Sequence, residues 1–160
     1  PSGYGGVLRK GFESSKKEWV FYTDGDGQYD PGELFELVKK AKPEIDIVNG
    51  YKLGREDSIP RKVIGFLYNR ILHLLYPIPI HDVDCDFRLI RKSKLNEIKL
   101  NSKSGAICLE LIMKLKNSGA KFAEIPVHHH PRQHGSSAFF KLQNLLQTLS
   151  ENIQLYKELR

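Results

Sequence analysis

The stretch that decides the fold is residues 19–33, WVFYTDGDGQYDPGE. Its first four residues are apolar or aromatic, which is typical of a buried strand. The acidic, glycine-rich DGDG that follows is a strong turn signal. Asp30 then offers an N-cap, Pro31 suits the first helical position, and Glu33 can complete a capping box. The stretch therefore predicts a strand, a tight acidic turn and the start of a helix.

Outward from this stretch, apolar runs that suit strands alternate with segments of helical periodicity. Further strands are predicted at 45–49, 87–90 and 122–127, and further helices at 7–17, 61–76, 107–117 and 139–159. This alternation predicts an α/β domain with a largely parallel sheet flanked by helices. A helix precedes the first strand, so the opening is expected to belong to the middle of a larger fold.

The composition suits one globular domain, since the 160 residues are 40% hydrophobic and 28% charged. Two cysteines argue against a disulfide framework. A net charge of +6 indicates an anionic partner, such as a phosphorylated substrate, an acidic membrane surface or nucleic acid. The most apolar stretch, 63–80, includes Asn69, Arg70 and His73, which favours a buried or membrane-surface helix over a membrane span.

The acidic turn has the spacing of a cation site. Asp24, Asp26 and Gln28 recur at every second residue directly after the predicted strand. Alternate side chains of an extended segment point the same way, so two carboxylates and an amide oxygen can converge. Mg²⁺ and Mn²⁺ prefer such oxygen ligands together with substrate phosphates. We therefore predict a divalent-cation site here, with an ordinary polar turn as the alternative.

Two other functions fit parts of the pattern. A strand ending in Asp-x-Asp-Gly also resembles the first motif of haloacid-dehalogenase-type phosphatases, in which Asp24 would be the nucleophile and Asp26 the general acid/base. That family usually continues with threonine or a similar hydroxyl residue, whereas Gln28 follows here, and no convincing acidic pair is placed after a lysine later in the chain. A non-catalytic basic binding module is the third hypothesis, although the chain carries no recognised nucleic-acid motif.

Three loop-like segments, 52–61, 82–88 and 128–137, carry cations that suit phosphate, because guanidinium groups bind phosphate with two hydrogen bonds. The candidate phosphate ligands are Lys52, Arg55, Arg61, Arg88 and Arg132. Histidines in the third segment raise zinc as an alternative, but no cysteine or glutamate follows at a usual zinc spacing. In the second segment Asp82, Asp84 and Asp86 alternate, offering a base, a further cation ligand or partners for arginines.

Together, these segments resemble the polyprenyl-phosphate glycosyltransferases, the dolichol-phosphate mannosyltransferase-like branch of glycosyltransferase family 2. The resemblance runs in order along nearly the whole chain, which makes the set more specific than any one motif. The matching residues are 3–12, 22–31, 50–52, Arg55, Asp57, Arg61, Gly65, Asn69, 82–89, Glu110, Leu111, 124–127, Arg132, Gly135 and Ser136.

The resemblance implies a partial GT-A fold, which is Rossmann-like, and an inverting, metal-dependent glycosyltransferase. A sugar would move from a nucleotide-diphosphate sugar to a polyprenyl phosphate such as dolichyl or undecaprenyl phosphate. Asp24, Asp26 and Gln28 would hold Mg²⁺ or Mn²⁺ against the donor's diphosphate. Arg61 and Arg132 match positions that contact substrate phosphates. Arg55 lies in a stretch of similar role, and Lys52 stands where relatives often have arginine.

In the implied reaction a lipid phosphate oxygen attacks the anomeric carbon while the metal and arginines stabilise the departing diphosphate. The nucleophile is already anionic, so the need for a strong base is small. Asp82 is the candidate for a base or orienting role, and Asp26 is the other predicted catalytic residue. The expected partners are the sugar donor, the lipid acceptor and, through residues 66–76, a membrane surface on its cytoplasmic face; nucleic acid is not expected.

The resemblance also predicts that residues 1–160 are a single GT-A catalytic-domain fragment. Members of the family begin with a strand and a short motif that bind the nucleotide base, and the sequence shows neither. We therefore expect the fragment to lack the N-terminal base-binding part and to be inactive alone. Many relatives carry C-terminal transmembrane helices, which are absent before Arg160.

Overall fold

In the computed structural model the described residues are 3–54, 59–132 and 142–159. The strands are β1 Trp19–Thr23, β2 Ile47–Leu53, β3 Phe87–Arg91 and β4 Phe122–His128. The helices are α1 Gly3–Ser14, α2 Leu34–Lys40, α3 Ile59–Leu75, α4 Lys92–Asn96, α5 Ala106–Asn117 and α6 Leu142–Glu158, and a 3-10 turn, Pro31–Glu33, precedes α2. The predicted α/β alternation is confirmed, and α4 is an addition that the sequence pattern did not indicate.

The four described strands form one mixed sheet in the order β1-β3-β2-β4. β2 and β4 pair in parallel, whereas β3 runs antiparallel to both β1 and β2, so the sheet is mixed and not largely parallel as the alternation predicted. β1, β2 and β4 therefore point the same way, and their carboxyl ends meet the amino end of β3 at one edge. Ligands of α/β sheets bind beyond the carboxyl ends of strands, so this edge is the place to look for a site.

The sheet is covered on both faces because neighbouring residues of a strand point to opposite sides. On one face Ile47 and Ile90 pack with Phe12 of α1 and Leu111 of α5. On the other face the aliphatic and aromatic side chains Val48, Phe87, Leu89 and Val127 pack with Leu37 of α2. α3 and α6 join a third cluster through Leu72, Tyr76 and Leu155, packed on α5. The strand ends are thus held on a rigid base.

The loop before α5 is fixed by two carboxylates. Glu110 accepts the backbone N–H groups of Asn101 and Ser102, at 2.8 Å each, and Glu151 of α6 accepts those of Lys103 and Ser104 at 3.0 Å. Four successive backbone donors are therefore satisfied by side chains, so a loop without secondary structure keeps one conformation.

The start of α1 docks on this loop. Gly5 donates its backbone N–H to the Lys103 carbonyl at 3.0 Å. A Cβ at position 5 would lie 2.2 Å from the Ser102 carbonyl oxygen, so only glycine allows this approach. The contact places Tyr4 at the sheet edge described above.

Replacing Glu110 by glutamine is expected to lower the free energy of unfolding by about 2–3 kcal/mol, because buried backbone donors lose a charged acceptor. Burial raises the pKa of Glu110, but hydrogen bonds from Lys114 and from the backbone of Ser102 and Asn101 outweigh it and lower the pKa overall. The contribution of the Glu110 carboxylate to stability is therefore complete above the pKa of this group in the unfolded chain, about 4.3. It is lost as the pH falls through the pKa of Glu110 in the folded protein.

Urea unfolding at pH 7 and at pH 4 tests this expectation. The difference between wild type and Glu110→Gln should begin to shrink at the lower pH, because the unfolded wild-type chain then binds a proton at this carboxyl while the folded protein still holds the carboxylate. Glu97→Gln is the control, since Glu97 is solvent-accessible and pairs with Lys94 at the surface, so its loss should change stability by less than about 0.5 kcal/mol. Equal losses for the two variants at pH 7 would refute a special role for Glu110.

Candidate active site

A cleft of about 640 Å³ opens at the edge where the strand ends meet. Its polar lining comes from the segments around the strand ends: Asp24, Asp26, Gln28, Lys52, Asp84, Asp86, His129 and Arg132. Helices α3 and α6 face the same cleft with Ile64, Tyr68, Leu145 and Leu149. The cleft therefore presents charged groups on its sheet side and mainly apolar groups on its helix side.

Asp26 and Arg132 form an ion pair in this cleft although 106 residues separate them. Arg132 Nη2 donates to Asp26 Oδ2 at 2.5 Å. The other carboxylate oxygen of Asp26 accepts the backbone N–H of Gln28 at 3.1 Å. The structure thus brings the predicted arginine of the third segment directly to the predicted cation-binding turn.

Gln28 is fixed between the acidic turn and the segment after β4. Its Nε2 donates to the His130 carbonyl at 3.0 Å, and the His130 N–H donates to the Gln28 carbonyl at 2.8 Å. The side chain is 4% exposed, and none of the described residues donates to its Oε1. The amide is therefore oriented with its nitrogen used by the protein, and its oxygen suits a cation.

Asp24 lies among like charges. Burial, with Asp86 and Asp26 nearby, raises the pKa of Asp24 to about 6, while Lys52 and the Tyr4 hydroxyl act in the opposite direction. Crowded carboxylates of this kind are stabilised by a bound cation. The donor set of Asp24, Asp26 and Gln28 is all oxygen, so it fits Mg²⁺ or Mn²⁺.

The protein alone does not offer a complete metal centre in the part of the chain that the structure describes. There, no group of three or more histidine, cysteine or carboxylate side chains is placed to hold an ion. His128 Nδ1 instead lies 2.6 Å from Glu33 Oε1, on an exposed part of the surface. Two carboxylates and an amide leave several ligand positions for substrate phosphate and water, as Mg²⁺ sites commonly do.

Asp86 is the centre of a hydrogen-bond network that the sequence did not indicate. It accepts from the hydroxyls of Tyr4 at 2.8 Å and Tyr22 at 3.3 Å, and from Cys108 Sγ at 3.3 Å. Tyr4 is also 3.4 Å from Asp24 and so links the two carboxylates. These donors come from α1, β1 and α5, and no local motif connects them.

Lys52 is tied to the second acidic series. Its Nζ donates to the Asp84 carbonyl at 2.6 Å and lies 3.7 Å from Asp82 Oδ2. Asp82 also accepts the Asp84 N–H at 3.0 Å. Asp84 lines the cleft and Asp82 does not, so the structure places Asp82 as a partner of Lys52 and of its own turn. Its predicted role as a base is not favoured by this placement.

Arg88 has a different role from the predicted phosphate contact. Its side chain is 0% exposed, and its guanidinium donates to Asn49 Oδ1 at 2.5 Å, to the Tyr22 hydroxyl at 2.7 Å and to the Val83 carbonyl. All of these acceptors belong to the protein, so the group cannot reach a substrate. The Arg88 side chain points into the protein because the side chains of β3 alternate between the two covered faces of the sheet.

Two predicted phosphate ligands cannot be placed. Arg55 lies outside the described residues. Arg61 falls in the first turn of α3, but its side chain is outside the description as well. Their contacts with phosphate remain predictions from the resemblance.

Comparison with known proteins identifies the family. The family described as "Glycosyl transferase family 2" matches residues 1–99. A dodecaprenyl-phosphate galacturonate synthase of Rhizobium johnstonii is 24% identical over 83% of this chain and 40% of its own length. An undecaprenyl-phosphate 4-deoxy-4-formamido-L-arabinose transferase of Klebsiella pneumoniae is 30% identical over 89% of this chain and 43% of its own. The chain therefore spans less than half the length of these relatives.

Solved structures support the fold. Glucosyl-3-phosphoglycerate synthase of Mycobacterium tuberculosis, in complex with Mn²⁺, UDP and phosphoglyceric acid, superposes with a TM-score of 0.73 at 14% identity. The superposition covers 98% of this chain and 54% of that protein. The architecture of the sheet and its helices is thus that of GT-A glycosyltransferases, as the resemblance implied.

Replacing Arg88 by lysine is expected to lower the free energy of unfolding by about 2–4 kcal/mol. An ammonium group cannot reach Asn49, Tyr22 and Val83 together, so buried acceptors lose their donors. The control is Arg70→Lys, on the exposed side of α3, which should change the free energy of unfolding by less than about 0.5 kcal/mol. Unfolding by denaturant compares the variants. An unchanged unfolding midpoint for Arg88→Lys would show that the hydrogen bonds of the buried guanidinium are dispensable for stability.

Proposed function

The chain belongs to glycosyl transferase family 2, and on that basis we propose that it forms the catalytic part of an inverting, cation-dependent glycosyltransferase. The enzyme moves a sugar from a nucleotide-diphosphate sugar to a polyprenyl phosphate. The observation that carries the proposal is the cleft that Asp24 lines beside the Asp26–Arg132 ion pair, with apolar side chains of α3 and α6 on its helical side. The phosphatase and the basic binding module have no support from the family match.

On the donor side, Asp24, Asp26 and Gln28 would hold Mg²⁺ or Mn²⁺. When bound, the ion neutralises charge on the departing diphosphate. Arg132 already lies 2.5 Å from Asp26, so it is placed to bind a phosphate oxygen next to that carboxylate. Lys52 adds a second positive charge, held by the Asp84 carbonyl and close to Asp82. Solved neighbours of the same fold hold Mn²⁺ with UDP or UDP-glucose, which supports a cation in this position.

On the acceptor side, the two relatives named above use polyprenyl phosphates by name. The cleft suits an amphiphilic acceptor, because its sheet side is charged while Ile64 and Leu149 contribute apolar surface from α3 and α6. A phosphate oxygen is anionic at neutral pH and can attack without a strong base. Asp82 would then serve to position Lys52.

Helices α3 and α6 also suit contact with a membrane surface. They are joined by a hydrogen bond from Asn152 Nδ2 to the Tyr68 hydroxyl at 2.8 Å, and directly after α3 the Tyr76 hydroxyl donates to the Asn152 carbonyl at 2.7 Å. Large apolar side chains on both helices remain exposed: Val63, Ile64, Phe66, Leu67, Ile71, Leu74, Leu75, Leu146, Leu149 and Ile153. No helix among the described residues is long and apolar enough to cross a bilayer. We propose peripheral contact with the membrane that holds the acceptor, on its cytoplasmic face.

Replacing Asp26 by asparagine in the full-length gene product is expected to lower cation-dependent sugar transfer at least about a hundredfold, because a charged ligand of the ion is lost. The measurement is the rate of transfer from a radiolabelled nucleotide sugar to a polyprenyl phosphate in the presence of Mg²⁺ or Mn²⁺. Asp30→Asn is the matched control: Asp30 caps the next turn by accepting the Gly32 N–H at 2.8 Å, and asparagine caps equally well. Retention of more than half the activity by Asp26→Asn would refute the cation site.

Replacing Phe66 and Leu74 together by glutamine should weaken binding to lipid vesicles at least about tenfold, since each buries apolar area in the membrane interface. The two side chains are 66% and 85% exposed. Flotation with vesicles of phosphatidylcholine and phosphatidylglycerol measures the effect. Phe35→Gln is the control, because Phe35 is 73% exposed on α2 and away from this face. Equal flotation of all three proteins would exclude the proposed contact.

A further inference from the structure

One wall of the cleft contains a polar group that the proposed function does not use. Thr148 of α6 is 2% exposed and lines the cleft, and its Oγ1 has no hydrogen-bond partner among the described residues. A helical threonine usually donates to the carbonyl one turn earlier. Leaving a buried hydroxyl unsatisfied costs stability, so a group of this kind calls for an explanation.

A second hydroxyl lines the same cleft, that of Tyr68. Asn152 is one helical turn from Thr148 on the same buried face of α6, and its Nδ2 donates to the Tyr68 hydroxyl of α3 at 2.8 Å. Within the described part of the chain the Tyr68 hydroxyl has no acceptor for its own proton, and Tyr68 also lines the cleft. Two hydroxyls on facing helices are therefore available to one ligand.

Neighbouring groups decide the chemistry of that ligand. Asp84 lines the same cleft as Tyr68, and burial together with the charge of this carboxylate raises the pKa of Tyr68. A negative neighbour disfavours a phosphate group and favours a neutral ligand that can both donate and accept hydrogen bonds. Ser104, on the same wall, is not available, because its hydroxyl donates to Glu151 at 2.8 Å and accepts from the Ala106 N–H at 3.2 Å.

We propose that Thr148 and Tyr68 form a subsite for the hydroxyl groups of the transferred sugar. The subsite rests on the proposed function and deepens it, since a transferred sugar is the neutral, hydroxyl-bearing part of a nucleotide-sugar donor. It lies on the helical side of the cleft whose carboxylates would hold the cation that binds the donor's diphosphate. Thr148 then gives up a hydrogen bond in the free protein and regains one when the sugar is bound.

The test compares wild type with Thr148→Val, which keeps the side-chain shape and removes the hydroxyl, and with Tyr68→Phe. Dissociation constants are measured by calorimetry with Mn²⁺ in the full-length gene product. The probes are UDP-glucose, UDP-galacturonate and GDP-mannose, each paired with its free nucleoside diphosphate. For the sugar nucleotide that wild type binds best, each variant should weaken its binding at least about fivefold. Binding of the matching diphosphate should stay within about twofold.

Two controls separate binding from structure. Thr148→Ser keeps a hydroxyl and should retain most of the affinity for the sugar nucleotide. The midpoint of thermal unfolding of Thr148→Val should equal or exceed that of wild type, because no protein hydrogen bond is lost. A midpoint several degrees lower would assign Thr148 to packing and overturn the proposal.

The remaining outcomes are distinct. If both variants bind the sugar nucleotide as wild type does, the subsite is wrong while the proposed function stands. A rise confined to the KM for polyprenyl phosphate would move the two hydroxyls to the acceptor and overturn the sugar assignment. If wild type binds none of the sugar nucleotides, the proposed function itself fails and the subsite falls with it.

Discussion

A buried positive charge holds the floor of the cleft together. The guanidinium of Arg88 joins β1 through Tyr22, β2 through Asn49 and the turn before β3 through Val83. Each of these segments also contains, a few positions from its contact with Arg88, a residue that lines the cleft: Asp24, Lys52 and Asp84. A charge that is completely buried is tolerated only when its donors are satisfied, so these three pieces are held in one arrangement. The positions of the acidic side chains follow from that constraint.

The arrangement concentrates negative charge at the sheet edge. Asp24, Asp84 and Asp86 all line the cleft, and burial with mutual repulsion raises the pKa of both Asp24 and Asp84 to about 6. Folding therefore retains unfavourable electrostatic energy that a cation and a cationic side chain would relieve. Arg132 already supplies part of this relief through its contact with Asp26. Such sites, in which local stability is given up for binding, are where function is usually found.

The opposite wall balances this charge with apolar surface. α3 and α6 pack together yet leave many large apolar side chains in contact with solvent. A cleft between a charged edge and an apolar helical pair matches a substrate that is ionic at one end and hydrocarbon at the other. The unsatisfied hydroxyl of Thr148 lies on this wall together with the Tyr68 hydroxyl, and these are the groups proposed to bind the sugar.

The sequence by itself determined the strand–turn–helix at 19–33 and the α/β class, because apolar periodicity and turn residues are local properties of the chain. The ion pair between Asp26 and Arg132 joins residues 106 positions apart and was decided by the tertiary structure. The direction of β3 was decided only by the tertiary structure, since a short apolar run reads the same in either direction. The burial of Arg88, the placement of Tyr4 between two carboxylates and the unsatisfied Thr148 also depend on tertiary contacts. The sequence separation reaches 82 residues for Tyr4 and Asp86, and no pattern within a helix or strand reports such contacts. Local chemistry therefore fixed which groups could act, and packing fixed which of them face the cleft.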